Sequence, residues 1–171
     1  DKRADNLINS RESMDYYYNS YLTQELKNLP GTKSEIMSIT KIFDGGDILS
    51  GKIANEKYIK NLSSTGELYN YDIIHFATHA IIVDEVPELS AVVLSKGNND
   101  EEDGYLTVSE VAKLNLSAEF VNLSACETGL GEASISEGVT GLTQAFLSAG
   151  ANSISVSLWP INDEATSIFM N

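Results

Sequence analysis

Tyr71-Asp72-Ile73-Ile74-His75-Phe76-Ala77-Thr78 is the stretch that decides the fold. It is nearly continuous in apolar and β-prone residues, as a strand buried on both faces should be, and such strands belong to parallel sheets covered by helices. Residues 91–95, 119–124 and 153–159 repeat the pattern, and Pro160 ends the last because it has no N–H to donate. Between these runs the period changes. Thr32-Lys33-Ser34-Glu35 has the form of a capping box, and Ile36, Ile39, Thr40 and Phe43 follow on one helical face until Gly45-Gly46. A short helix is expected near Asn55, with Tyr58, Ile59 and Leu62 inward. Thr107-Val108-Ser109-Glu110 is a second capping box, with Val108, Val111, Ala112 and Leu114 inward. A further helix from about Ser136 carries Val139, Leu142, Phe146 and Leu147 on one face and stops at Ala149-Gly150. Strands alternating with capped helices predict an α/β sandwich with a largely parallel sheet.

The 171 residues suffice for one domain with a real core. At 42% hydrophobic residues the chain has an ordinary globular composition, and no apolar run is long enough to span a bilayer. Net charge is −14, from 11 basic and 25 acidic residues. That field repels phosphate backbones, so no direct nucleic-acid partner is expected, and basic partners are favoured. A single cysteine excludes an internal disulfide and a cysteine-rich zinc site. Asn61, Asn115 and Asn122 each open an N-glycosylation pattern, but without a secretion signal these are read as chance matches, and Asn122 falls inside an expected strand. The chain starts without Met or a signal peptide and stops within a helix-like run, and is read as a fragment of a longer protein.

In such sheets, sites form beyond the carboxyl ends of the strands. His79, Cys126 and Asp163 each sit just past one of the expected strands, on one rim. A cysteine and a histidine there suit thiol-based acyl transfer. The thiol, with an ordinary pKa near 8.5, needs a base to present thiolate, and histidine can take and return that proton. Backbone N–H groups of Ala80 and Cys126 could hold the oxyanion. Taken alone, Cys126 would more often be a small buried hydrophobe, and His75, in mid-strand, a satisfied structural histidine.

His75-Phe76-Ala77-Thr78-His79-Ala80, followed by Leu123-Ser124-Ala125-Cys126-Glu127-Thr128-Gly129-Leu130-Gly131, resembles the signature pair of the CHAT family. These are caspase-like and separase-like peptidases of bacteria, often attached to tetratricopeptide repeats. The similarity continues through Glu137-Gly138-Val139, the run from Ala145 to Ala151, and the run from Ser157 to Thr166. It opens at Leu29-Pro30-Gly31, Glu35 and Phe43. The resemblance implies a caspase-like three-layer α/β/α sandwich. It makes Cys126 the nucleophile and His79 the catalytic histidine, with Ala80 where glycine is more usual. It also implies residues 29–171 as the peptidase domain, shortened at its C-terminus, and residues 1–28 as an entry segment or the end of a preceding domain. No metal or other cofactor is expected. A repeat-containing or other regulatory region in the same full-length chain, a cytoplasmic location and a protein substrate are. Asp163, with Asp84 and Glu127, suggests cleavage after Arg or Lys. Three classes stay open: an active endopeptidase, a silent caspase-like domain acting as a binding or regulatory module, and another thiol enzyme such as an acyltransferase.

Overall fold

A computed structural model describes residues 18, 26, 28–43, 45–84, 86–97, 102–127 and 137–156, with the backbone alone at 125–127. Five strands form one sheet: β1 (Ile73–Ile81), β2 (Ala91–Val93), β3 (Tyr105–Thr107), β4 (Phe120–Glu127) and β5 (Ile154–Val156), in the order β3-β2-β1-β4-β5. β1, β4 and β5 are parallel, whereas β2 and β3 add antiparallel at one edge. The fold is therefore α/β with a parallel centre, of the caspase-like kind. The antiparallel edge departs from the sequence reading. β3 is three residues long and merges into a helix cap, too short to show a period of its own.

Helices with described bounds pack around the sheet: α1 (Pro30–Ile42), α2 (Glu56–Thr65), α3 (Val108–Val111) and α4 (Glu137–Ser148). The Asn55 carboxamide caps α2 by accepting from the Tyr58 N–H at 2.8 Å, and Gly66 ends it in the left-handed region. The Thr107–Glu110 capping box forms as read. The box expected at Thr32 does not. Helix α1 starts earlier, at Pro30, whose fixed φ suits the first helical position, so Glu35 lies inside the helix rather than at its start.

Alternation along β1 splits the core in two. Phe76 and Ala80 face the larger cluster, where Phe76 meets Phe146 of α4 at 5.5 Å between ring centroids, beside Leu62 of α2 and Leu123 of β4. Ile81 faces the other side, with Val83, Leu89, Ala91, Tyr105 and Tyr18. Tyr18 lies ahead of the Leu29 boundary read from the sequence. It is fully buried, stacks on Tyr105 at 4.1 Å and donates its hydroxyl to the Leu89 carbonyl at 2.6 Å. Of the residues expected inward, Tyr58, Leu147, Phe43 and Ala112 are exposed; Phe43 and Ala112 are the C-cap residues just past the ends of α1 and α3. No helix among the described residues is long and apolar enough to cross a membrane.

Candidate active site

β1 and β4 run side by side in register from Ile73 opposite Phe120 to Ala80 opposite Glu127. In that ladder the backbone of His79 is the direct partner of Cys126. Neighbouring strands lie about 4.8 Å apart, so two residues 47 positions apart in sequence become adjacent through topology alone. Both lie inside their strands rather than beyond them. β1 is prolonged because Ala80 and Ile81 pair with Val92 and Ala91 of β2, and β4 follows it as far as Glu127.

Beneath this rung the same face of β1 carries His75 and Ala77, two and one alternations below His79. His75 lies between two partners. Its Nδ1 accepts from the Asn122 carboxamide at 2.9 Å, and its Nε2–H donates to the Glu35 carboxylate of α1 at 3.0 Å. Glu35 and Asn122 are both buried. His75 is thus the satisfied structural histidine that its mid-strand position suggested, and Asn122 is a core residue with its amide engaged. Glu35 is the residue that sequence reasoning misassigned. A carboxylate flanked by Ile36 and Ile39 on the apolar side of a helix was the available signal. Ser124, between the two rungs on β4, is also buried, and its hydroxyl makes no hydrogen bond among the described residues.

Ala80 is buried in the ladder between β2 and β4. No described non-glycine residue has positive φ, so its methyl occupies an ordinary extended position. Asp84 is exposed shortly after β1. The side chain of Glu127, together with Glu85, Asp163 and Glu164, lies outside the described residues.

A second ionic cluster stands apart from this rung. Lys60 of α2 reaches Glu56 at 2.5 Å and Glu102 and Glu110 at 2.9 Å each. Among the described residues these three carboxylates are the group close enough to share a cation, and the ammonium already stands among them. Burial pushes the Glu56 carboxyl up to about 8, against the pull of Lys60. Burial also raises Glu110, but the hydrogen bond from Lys60 and two from Thr107 outweigh it and hold that carboxyl below its usual value. With one ammonium for three carboxylates, a proton retained on the most buried of them lowers the net charge.

The CHAT-domain family model matches residues 18–171. This chain belongs to the CHAT-domain family. The family sits within a cysteine peptidase-like superfamily, which agrees with the parallel β1–β4 pair. Tetratricopeptide repeat protein 28 of human is 26% identical over 179 aligned positions, covering 84% of this chain and 7% of that protein. Its mouse counterpart is 36% identical over 66 residues, 39% of this chain and 3% of the relative. The chain therefore spans a small part of the curated relatives it matches. No solved structure matches it significantly.

Proposed function

We propose that the chain is the peptidase domain of a cysteine endopeptidase in which Cys126 attacks the scissile carbonyl and His79 manages the proton. The observation that carries this reading is the register: in a parallel ladder joining distant segments, the one cysteine of the chain falls opposite a histidine. The thiolate would add to the carbonyl carbon, and the oxyanion would take backbone N–H groups, for which Cys126 and Ala80 are the candidates. His79 would then protonate the leaving amine and activate the water that cleaves the thioester. No metal or organic cofactor has a role in that sequence.

The same proposal extends to the substrate. Asp84 follows β1, Glu127 ends β4 and Asp163 comes after the β5 segment in the chain, and the chain as a whole carries −14. We infer cleavage after Arg or Lys, with Asp163 the favoured specificity residue, because a carboxylate holds a guanidinium by a two-point fork. The similarity to tetratricopeptide repeat proteins supports a repeat region in the full-length chain as regulatory partner. The bacterial and cytoplasmic setting rests on the family resemblance alone, and the curated relatives reported above are mammalian. A fluorogenic panel varying only the residue before the scissile bond tests the substrate reading: Arg and Lys should be preferred, and faster cleavage after Asp would overturn it.

A further inference from the structure

The Ser124 side chain on β4 is 8% exposed, and its hydroxyl makes no hydrogen bond among the described residues. Burying a hydroxyl without a partner is costly, and chains retain such groups where they have another task. The ladder defines the neighbours it could serve. The 2.9 Å bond between Asn122 and His75 joins two directly paired residues, so paired positions of β4 and β1 share a face. Ser124 and its partner Ala77 therefore stand on that face between the Asn122–His75 rung and the Cys126–His79 rung.

Below Ser124, His75 has both ring nitrogens engaged, one with Asn122 and one with Glu35 of α1. Directly opposite, Ala77 brings no polar atom in its side chain. Above, His79 is the diagonal neighbour. With strands about 4.8 Å apart and a rise of about 3.3 Å per residue, the two positions are roughly 8 Å apart, within reach of an imidazole and a hydroxyl turned toward each other. The hydroxyl thus belongs with the upper histidine.

We propose that Ser124 is a positioning residue for the dyad: its Oγ accepts a hydrogen bond from the His79 ring when that ring takes the Cys126 proton. This rests on the peptidase reading of Cys126 and His79. In that step the thiol S–H bond breaks, the proton forms an N–H bond on His79, and sulfur keeps the electron pair as thiolate. The imidazolium then has two N–H donors, one for the thiolate and one for Ser124 Oγ. A bond from a charged donor is stronger than one from the neutral ring, so it favours the thiolate–imidazolium pair over the neutral thiol and imidazole. A neutral acceptor does this without holding the proton too tightly for transfer to the leaving amine. Buried beneath the rung, the hydroxyl orients the ring without meeting substrate.

The test follows alkylation of the chain's single cysteine by iodoacetamide, read by intact mass across about pH 5 to 10, in the parent, Ser124→Ala, Ser124→Thr and His79→Ala chains. Ser124→Ala should react about tenfold more slowly near neutral pH, with the acid limb of its profile displaced upward by about one pH unit. It should match the parent at alkaline pH, where both hold thiolate. Ser124→Thr, which keeps the hydroxyl, should restore the parent's profile. The urea midpoint of Ser124→Ala should equal or exceed the parent's, since among the described residues the hydroxyl has no bond to lose. An unchanged Ser124→Ala profile beside a displaced His79→Ala profile would overturn the proposal and leave the dyad standing. A clearly lower Ser124→Ala midpoint would mark a structural bond instead, and a folded Ser124→Thr that behaves as Ser124→Ala would remove the role of the hydroxyl; either overturns it. A His79→Ala profile equal to the parent's would bring down the peptidase reading and the proposal with it.

Discussion

At the residue scale, two histidines four positions apart on one strand have different surroundings and should fail in different ways. His75 lies between Glu35 and Asn122, so His75→Ala leaves a buried carboxylate and a buried amide without their partner. We expect a loss of about 2–4 kcal/mol in urea denaturation, with residual turnover scaling with the folded fraction. His79→Ala should leave the denaturation midpoint close to the parent's while removing nearly all peptide hydrolysis. A well-folded but inactive His75→Ala beside an active His79→Ala would reverse these roles. The sequence distinguished the two histidines because one lies in mid-strand and the other near its end. It did not reveal Glu35, because Thr-x-x-Glu before an apolar run satisfies the capping-box pattern equally well. Only the earlier start at Pro30, set by that residue's fixed φ, frees the carboxylate for β1.

At the scale of elements, tight contacts and one ionic cluster hold helices to the sheet. A Cβ placed on Gly138, at the start of α4, would lie 2.6 Å from the Ser90 hydroxyl and 2.7 Å from an Ile82 methyl. The Glu137-Gly138-Val139 stretch thus lets α4 approach the chain leaving β1. Gly138→Ala should cost about 1–3 kcal/mol by thermal or chemical denaturation, and an unchanged midpoint would mean that α4 sits further out. The Lys60 cluster ties α2 to α3 and to the turn before β3 through Glu56, Glu102 and Glu110. Because burial raises the Glu56 pKa from 4.5 to about 8, the folded state holds a proton there that the unfolded state releases. Its contribution is complete below about 4.5, declines as the pH rises, and is gone above about 8. The stability difference between the parent and Glu56→Gln, measured by urea midpoints across that window, should shift against the parent as pH rises. A pH-independent difference would contradict the protonated carboxyl. The strands of the parallel centre were legible because they read as nearly continuous apolar and β-prone runs. The antiparallel edge was not, since a three-residue strand that ends in a helix cap leaves no period to read.

At the scale of the whole molecule, the α/β architecture centres on the parallel β1–β4 ladder, and so does the proposed chemistry. The sequence placed His79 and Cys126 on a common rim by the rule of strand ends. The structure instead sets their backbones opposite each other within the strands, because β2 prolongs β1 by pairing at Ala80 and Ile81. If that rung is a catalytic dyad, the thiol should be far more reactive than a buried structural cysteine, and its reactivity should depend on the histidine. The most direct measurement is labelling by a peptidyl acyloxymethyl ketone carrying Arg at its reactive end, followed by intact-mass spectrometry of the parent, His79→Ala and Cys126→Ala chains. The peptidase reading predicts one adduct on the parent, mapped to Cys126, with labelling slowed about 100-fold or more in folded His79→Ala and absent from Cys126→Ala. A folded parent that resists the probe, or a His79→Ala chain labelled as fast as the parent, would contradict it.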